Sequence, residues 1–470
     1  MGLAHSSFGF GICLRFGAWD FVLRPRGGLI VLLVLLPWGP AAPAAEDPGD
    51  ESFQLVAGLL GDKDRQVRAV GLQYVRAGAK GQPATRRFAA MLPNQTPDVQ
   101  AELLAALADR GDRAARPQVL AMLASRDEPV RAAAVAALGS LGDAADVPAL
   151  AARLVGGQRA EQAAARQSLT RLRDPAANTA IARAVPNAPP ETRAALLEVL
   201  AARNATDTVD TVLAAAEDPD PSVRIAALAA LRVLADPGRT AAIIKLLKAA
   251  RSDRERDRAE AALVAVCGRG RQSGTEALRG GLVGAAGPVR AALLRTLAAV
   301  GGAEALQTIL AATRDDDPAT RGEAVRLLAA WPERAAVPHL LAIARQTEPL
   351  RYHVLAVAGL ARLAGPGPDQ PPDLALLAET LKLARRPEEK RLLLGVLGGI
   401  ARPEALTLVL PALDQADLAD EAAVAALAIA ERLPDLDPGR RRAVAQKVLA
   451  KSQSPAIRAR AEALEKAIGD

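Results

Sequence analysis

Apolar residues in this chain recur with helical spacing, and the pattern itself recurs along the chain. In the stretch from Asp218 to Leu234, the residues Val223, Ala227, Leu231 and Leu234 fall on one face of a helix. Asp220-Pro221 stands at its start, where Pro lacks an amide hydrogen the first turn cannot use and Asp can accept from the free amides. A single such helix cannot bury its own apolar stripe, so it needs copies of itself to lean on.

The copies are present. Taking Val223-Arg224 as the register mark, equivalents stand at Val67-Arg68, Val99-Gln100, Val130-Arg131, Thr192-Arg193, Val289-Arg290, Thr320-Arg321, Leu350-Arg351, Lys390-Arg391 and Ile457-Arg458. Weaker copies lie near Glu161, Arg258 and Asp420. Most steps are roughly 30 to 35 residues, the period of a stacked array in which each unit touches only its neighbours. Pro opens further helices at Thr96-Pro97, Glu128-Pro129, Asp317-Pro318, Glu348-Pro349 and Ser454-Pro455. Between these helices lies a second, shorter apolar stretch, such as Val147 to Val155 or Thr240 to Leu247, so each unit reads as a helical hairpin. No segment is assigned strand periodicity.

The motif D-x-x-P-x-V-R-x-x-A-x-x-x-L, as in Asp127-Glu128-Pro129-Val130-Arg131 continuing to Leu138, resembles the HEAT repeat, particularly the short, Ala-rich variety of phycobilin-lyase-like proteins. The resemblance covers nearly everything after residue 50. It implies an all-α, right-handed α-α superhelix, an α-solenoid of about 12–13 helical hairpins at this period.

The first 45 residues stand apart. Arg24 and Arg26 precede an apolar run from Leu29 to Leu36, and Pro37 to Pro40 lead into the small residues Ala41-Ala42-Pro43-Ala44-Ala45. A positive flank, a short apolar core and an A-x-A site predict a secretory signal peptide over 1–45, cut near Ala44 and Ala45. An uncleaved N-terminal anchor is the alternative, although the core is shorter than the ~20 residues a span requires. The expected organisation is then a repeat array over 46–364, a Pro/Gly-rich insertion or hinge at 365–373, and further repeats with a closing cap over 374–470. After signal removal no membrane span is expected, and the chain is expected outside the cytoplasm, periplasmic or secreted.

Composition narrows the function. Half of the residues are hydrophobic but only 2% are aromatic, so Ala and Leu must make the core. The formal net charge is +6, and Arg15, Arg24 and Arg26 against Asp20 account for two of those charges. So small an excess over the remainder argues against a nucleic-acid partner. Cys13 lies in the leader and leaves Cys267 alone, which excludes an internal disulfide and a cysteine-based metal cage.

Candidate chemistry is sparse. The repeated Arg68, Arg131, Arg193, Arg224, Arg290, Arg321, Arg351 and Arg391 suit a ladder with turn acids such as Asp64, Asp127, Asp220 and Asp317, which would fix the stacking. A phosphate-gripping surface is the functional counterpart. Gly268 to Gly274 reads as a flexible loop opening a helix at Thr275; it holds two arginines but lacks the spacing of a P-loop. His339 and His353 would need a third ligand for a metal, with Glu348 the nearest acid, and no metal or other cofactor is expected. Trp331, Tyr352 and His353, with Arg295 and Arg326 nearby, form a candidate hot spot, since an aromatic in a shallow groove is what a binding anchor needs. The plainer reading is that Trp331 plugs a turn and Tyr352 fills a gap.

No catalytic motif stands out. The expected function is therefore a non-enzymatic, exported scaffold holding a protein or peptide partner along an inner face. The resemblance also implies two alternatives: a bilin-lyase-like or other enzyme-accessory protein, and a nucleic-acid-binding protein like the HEAT-like DNA glycosylases.

Overall fold

The computed structural model describes residues 12–16, 19–23, 50–346, 349–367 and 370–467. The apolar run and the cleavage site expected for a signal peptide lie outside the described residues. One feature of residues 1–45 departs from the sequence reading. Ile12–Phe16 and Trp19–Leu23 pair as antiparallel strands, Ile12 opposite Leu23 and Phe16 opposite Trp19. Ile12, Leu14 and Phe16 do alternate with period two, but five residues are too few to stand out beside the helical repeats.

From Asp50 onward, the described residues form helical hairpins, each with a first helix that is usually short and a second of twelve residues or more. The chain divides into two compact units, with the boundary between Ala235 and Asp236. In the first unit the second helices are Arg65–Ala77, Pro97–Arg110, Glu128–Leu141, Arg159–Arg171, Pro190–Ala202 and Pro221–Leu234. In the second unit they are Asp253–Arg269, Gly287–Val300, Pro318–Ala329, Leu350–Ala364, Pro387–Gly398, Ala419–Glu431 and Pro455–Lys466. First helices such as Val209–Ala215 and Leu374–Leu383 alternate with them. The expected α-solenoid of stacked hairpins is the observed architecture.

The sequence explains why each second helix starts and what it buries. Asp220 accepts from the Ser222 amide at 2.8 Å, and Pro221 occupies the first helical position. Val223, Ala227, Leu231 and Leu234 are then buried, the larger of them each contributing roughly 1.5–3 kcal/mol of apolar transfer. Small residues let neighbouring helices approach closely. A Cβ added at Gly359 would lie 2.8 Å from the Ala329 carbonyl oxygen, and one at Gly398 would lie 3.0 Å from the Ala425 Cα.

One loop read from the sequence resolves differently from expectation. Gly268 to Gly274 is no open loop: helix Asp253–Arg269 ends at Gly270 and the next helix already starts at Arg271. Gly274 lies inside that helix at a close contact, where a Cβ would meet the Cys267 Cβ and Sγ at 2.9 Å. Cys267 is buried in the contact, and burial pushes its thiol up from the ordinary value. The 365–373 insertion is tied at both ends. The Asp373 amide donates to the Ala364 carbonyl at 2.8 Å, and the Asp373 carboxylate caps the Leu376 amide at 3.0 Å. Arg334 donates to the Pro371 carbonyl at 2.9 Å and pairs with Asp373 at 3.5 Å. Among the described residues, no helix is long and apolar enough to cross a membrane.

Candidate binding face

The repeated arginines are rungs between successive hairpins, but their acids are not the N-cap aspartates Asp64, Asp127, Asp220 and Asp317. Asp64, Asp220 and Asp317 accept from amides of their own helices, as N-caps. With its carboxylate so engaged, each of these three leaves the guanidinium to other partners. Arg131 donates to the carbonyls of Ser125 and Arg126, both at 3.0 Å, and pairs with Glu161 at 2.8 Å. Arg68 likewise takes the Asp62 and Lys63 carbonyls and reaches Glu102 at 3.1 Å. The Asp218 and Pro219 carbonyls accept from Arg224, and those of Asp315 and Asp316 accept from Arg321. Arg193 pairs with Asp218 at 3.0 Å, Arg290 with Asp315 at 2.7 Å and Arg391 with Glu421 at 2.9 Å. In Arg68, Arg131, Arg193 and Arg290 one guanidinium therefore closes its own turn and grips the following hairpin, which is a bidentate use of its planar fork.

Arg351 is the exception. Its guanidinium donates to the Tyr352 hydroxyl at 3.1 Å and lies 4.9 Å from the centre of the Tyr352 ring. The helix start explains this: the N-cap is Pro349, which puts Arg351 too close to the helix end to occupy the rung position.

A second set of arginines went unrecognised in the sequence. Arg110 donates to the Val75 carbonyl at 2.9 Å, and to those of Ala79 and Gly81. Arg203 takes the carbonyls of Leu169, Thr170 and Leu172, and Arg362 those of Ala329 and Trp331. Each reaches back from the end of one second helix to the carbonyls at the end of the one before, satisfying groups a helix cannot bond itself. Burial holds all three guanidinium groups below their ordinary value. Their signal was an Arg ten or eleven residues after the register position, as with Arg203 after Arg193 and Arg362 after Arg351.

The proposed hot spot does not form an exposed cluster. Trp331 and His353 are each 1% exposed and Tyr352 is 9% exposed. Tyr352 packs against the preceding second helix, where a Cβ on Gly322 would lie 3.8 Å from its ring and hydroxyl; the side chain fills the hollow that Gly322 leaves. The Trp331 carbonyl is held by Arg362. His339 is exposed while His353 is buried, and Glu348 lies outside the described residues. Among the described residues, no three His, Cys, Asp or Glu side chains are placed to hold a metal. Arg295 and Arg326 belong to an ionic chain: Arg295 holds Glu260 through two bonds of 2.7 Å and reaches Glu323 at 3.3 Å, and Glu323 accepts from the Arg326 Nε at 2.9 Å. Burial raises the Glu323 carboxyl, but Arg326 and Arg295 more than offset it and hold the group below the ordinary glutamate value.

An open groove lies further along the second unit. It measures about 520 Å³ and runs over the second helices Pro387–Gly398, Ala419–Glu431 and Pro455–Lys466. Leu394, Gly395, Val424, Ala428 and Ile457 line its apolar floor, and Arg391, Asp420, Glu421 and Arg432 stand around it. Gly395 leaves it open, since a Cβ there would meet nothing within 4 Å. Val424 is 45% exposed, a large apolar side chain left in water. Sequence reading passed over this region because no aromatic marks it; the signal was the run of glycines at Gly395, Gly398 and Gly399.

The model of one family, HEAT repeats, matches residues 85–170, 177–266 and 275–359. No curated protein matches the chain. Among solved structures it is similar to Kap121p, at 13% identity and a TM-score of 0.47, over 88% of this chain and 53% of that one. It is also similar to a chain in a homology model of the full-length AP-3 complex in an intermediate open conformation, at 12% identity and a TM-score of 0.50, over 89% of this chain and 87% of that one. The chain thus spans about half the length of Kap121p. At these identities the likeness is one of fold.

Proposed function

Because this chain belongs to the HEAT-repeat family, we propose that it is a non-enzymatic scaffold, exported from the cytoplasm, that holds a protein or peptide partner on its second-helix face. The groove over Gly395 and Val424 carries this reading. It is open to solvent and lined by apolar side chains together with charged ones, which suits an extended segment better than a small molecule to be transformed. A small apolar side chain seated over Gly395 would cover Val424 and Ile457, while Arg391, Glu421 and Asp420 offer polar contacts to its backbone. Such a face gathers affinity from area and a few anchors. The leader, with Arg24 and Arg26 before its apolar run, supports export. The near balance of acids and bases does not favour nucleic acid as the partner.

The test is capture of partners by the mature chain from a cell-envelope extract, in parallel with Gly395→Leu and Val424→Glu. A partner held by the wild type and lost by both variants, with their circular dichroism unchanged, is the expected result. Equal capture by all three would remove the groove from the account. Cell fractionation with N-terminal sequencing tests export separately. The expected product lacks residues 1–45; an intact chain in the cytoplasm would end that part of the reading.

A further inference from the structure

In most of the Arg rungs the arginine stands four positions past its second helix's N-cap, and in the fullest of them it does two jobs. Arg131, four past Asp127, holds carbonyls of the preceding turn and also Glu161, which stands three past the Gln158 N-cap of the next second helix. In helix Leu350–Ala364 the residue four past the Pro349 N-cap is His353. Its Nδ1 lies 2.8 Å from the Ala344 carbonyl oxygen, and its Nε2 lies 3.3 Å from Glu389 Oε2. Glu389 stands three past the Arg386 N-cap of the next second helix, the position Glu161 holds in its own. His353 therefore fills an arginine's place in the ladder, with the same two kinds of partner.

The substitution changes what the rung depends on. Arginine keeps its charge at any pH the protein meets, whereas imidazole loses its own near neutrality. Both ring nitrogens of His353 face acceptors, and a neutral imidazole has a single N–H. Making both bonds requires one proton more than a neutral imidazole beside a carboxylate, whichever of Nε2 and Oε2 carries it. The site gives that proton little competition from water. His353 is 1% exposed and Glu389 is 4% exposed. Glu389 Oε2 also accepts from the Arg385 and Arg386 amides at 2.8 and 3.2 Å, while its Oε1 is buried with no partner.

The other charges around the pair are engaged elsewhere or exposed, the Arg385 side chain among the exposed ones. Arg345 pairs with Glu379, Arg386 with Glu388 and Arg391 with Glu421. Arg321 is held by carbonyls, Glu323 by Arg326 and Arg295, and Lys390 by Gln415. On its own helix, Arg351 lies over Tyr352 and Arg362 is held by carbonyls. His339 and Lys382 are exposed.

We infer that the His353–Glu389 rung is a proton-operated joint between the two hairpins that flank the 365–373 insertion. With its extra proton the rung ties the start of helix Pro387–Gly398 to helix Leu350–Ala364 and to the Ala344 turn. Without it, either the Ala344 bond is lost or an imidazole lone pair faces a buried carboxylate, and the joint weakens.

The experiment follows the full chain by thermal melting between about pH 5 and 9, alongside His353→Arg and Glu389→Gln. In parallel, ¹⁵N-histidine spectra of the wild type are recorded, simplified because the chain has three histidines. His339→Gln assigns His339, and His353→Arg removes the resonances in question. Relative to His353→Arg, the wild-type melting temperature is expected to fall by a few degrees as pH rises through the imidazole range. The His353 resonances are expected to show both nitrogens protonated at the acid end, with a titration that Glu389→Gln displaces. A His353 that keeps one protonated nitrogen throughout, with no displacement in Glu389→Gln, would overturn the inference. So would identical pH profiles for the wild type and His353→Arg. If His353→Arg does not fold, the wild-type spectra and Glu389→Gln decide the question alone.

Discussion

Truncating Arg131 to alanine would free the Ser125 and Arg126 carbonyls and leave Glu161, 5% exposed in its side chain, without its nearest cation. Removing one partner of such a pair strands the other, so Arg131→Ala is expected to cost about 3 kcal/mol, and adding Glu161→Gln should recover part of it. Urea midpoints of the single and double variants check this. The ionic chain at Arg295 makes a second residue-scale prediction. Because Arg326 and Arg295 hold the Glu323 carboxyl below the ordinary value, its contribution is present above that value and lost as pH falls through the depressed one. Glu323→Gln should therefore flatten the acid limb of the stability profile below roughly pH 4. The recurrence of these arginines was plain in the sequence, but their partners were not. Which acid Arg131 meets depends on the offset between neighbouring hairpins, and spacing along one chain does not encode that offset.

At the scale of a helix, two glycines three residues apart separate packing from propensity. Gly395 faces open space and Gly398 faces the Ala425 backbone at 3.0 Å. Gly395→Ala is expected to raise stability by about 0.5–1 kcal/mol, from helix propensity alone. Gly398→Val should lower it by about 1–3 kcal/mol, because helix Ala419–Glu431 must move away. Melting curves of both variants distinguish them; equal effects would mean that the two helices do not pack as described. Helix positions were the most legible feature of the chain, since capping Asp, Pro at the first position and the apolar stripe agree at Pro221–Leu234. The exceptions have local causes. Gly274 packs against Cys267 from inside a helix that the glycines near it seemed to interrupt. The N-cap at Pro349 moves the rung from Arg351 to His353. The aromatics looked like surface anchors because they are rare, yet a poor supply of large side chains is also what makes a Tyr useful over Gly322.

Over the whole molecule, stability is a sum of hairpins and the joints between successive ones. Such a chain has little reason to melt in one step. Calorimetry of the full chain is expected to give a van't Hoff enthalpy well below the calorimetric one, and equality of the two would mean a single cooperative block. The array was legible at this scale because its period repeats many times over. The division after Ala235 was not, since residues on either side of it continue the same pattern.

The rungs have a further consequence. Arg131 draws its carbonyls from its own turn and its carboxylate from the unit ahead, so the connection reads differently from its two ends. Units joined this way behave like couplings on rolling stock: a carriage can be taken out or put in if it faces the right way, and a reversed one has nothing to hook onto. Excising one full period between equivalent arginines should therefore yield a shorter protein with an intact coupling across the scar, whereas a cut half a period out of phase should not.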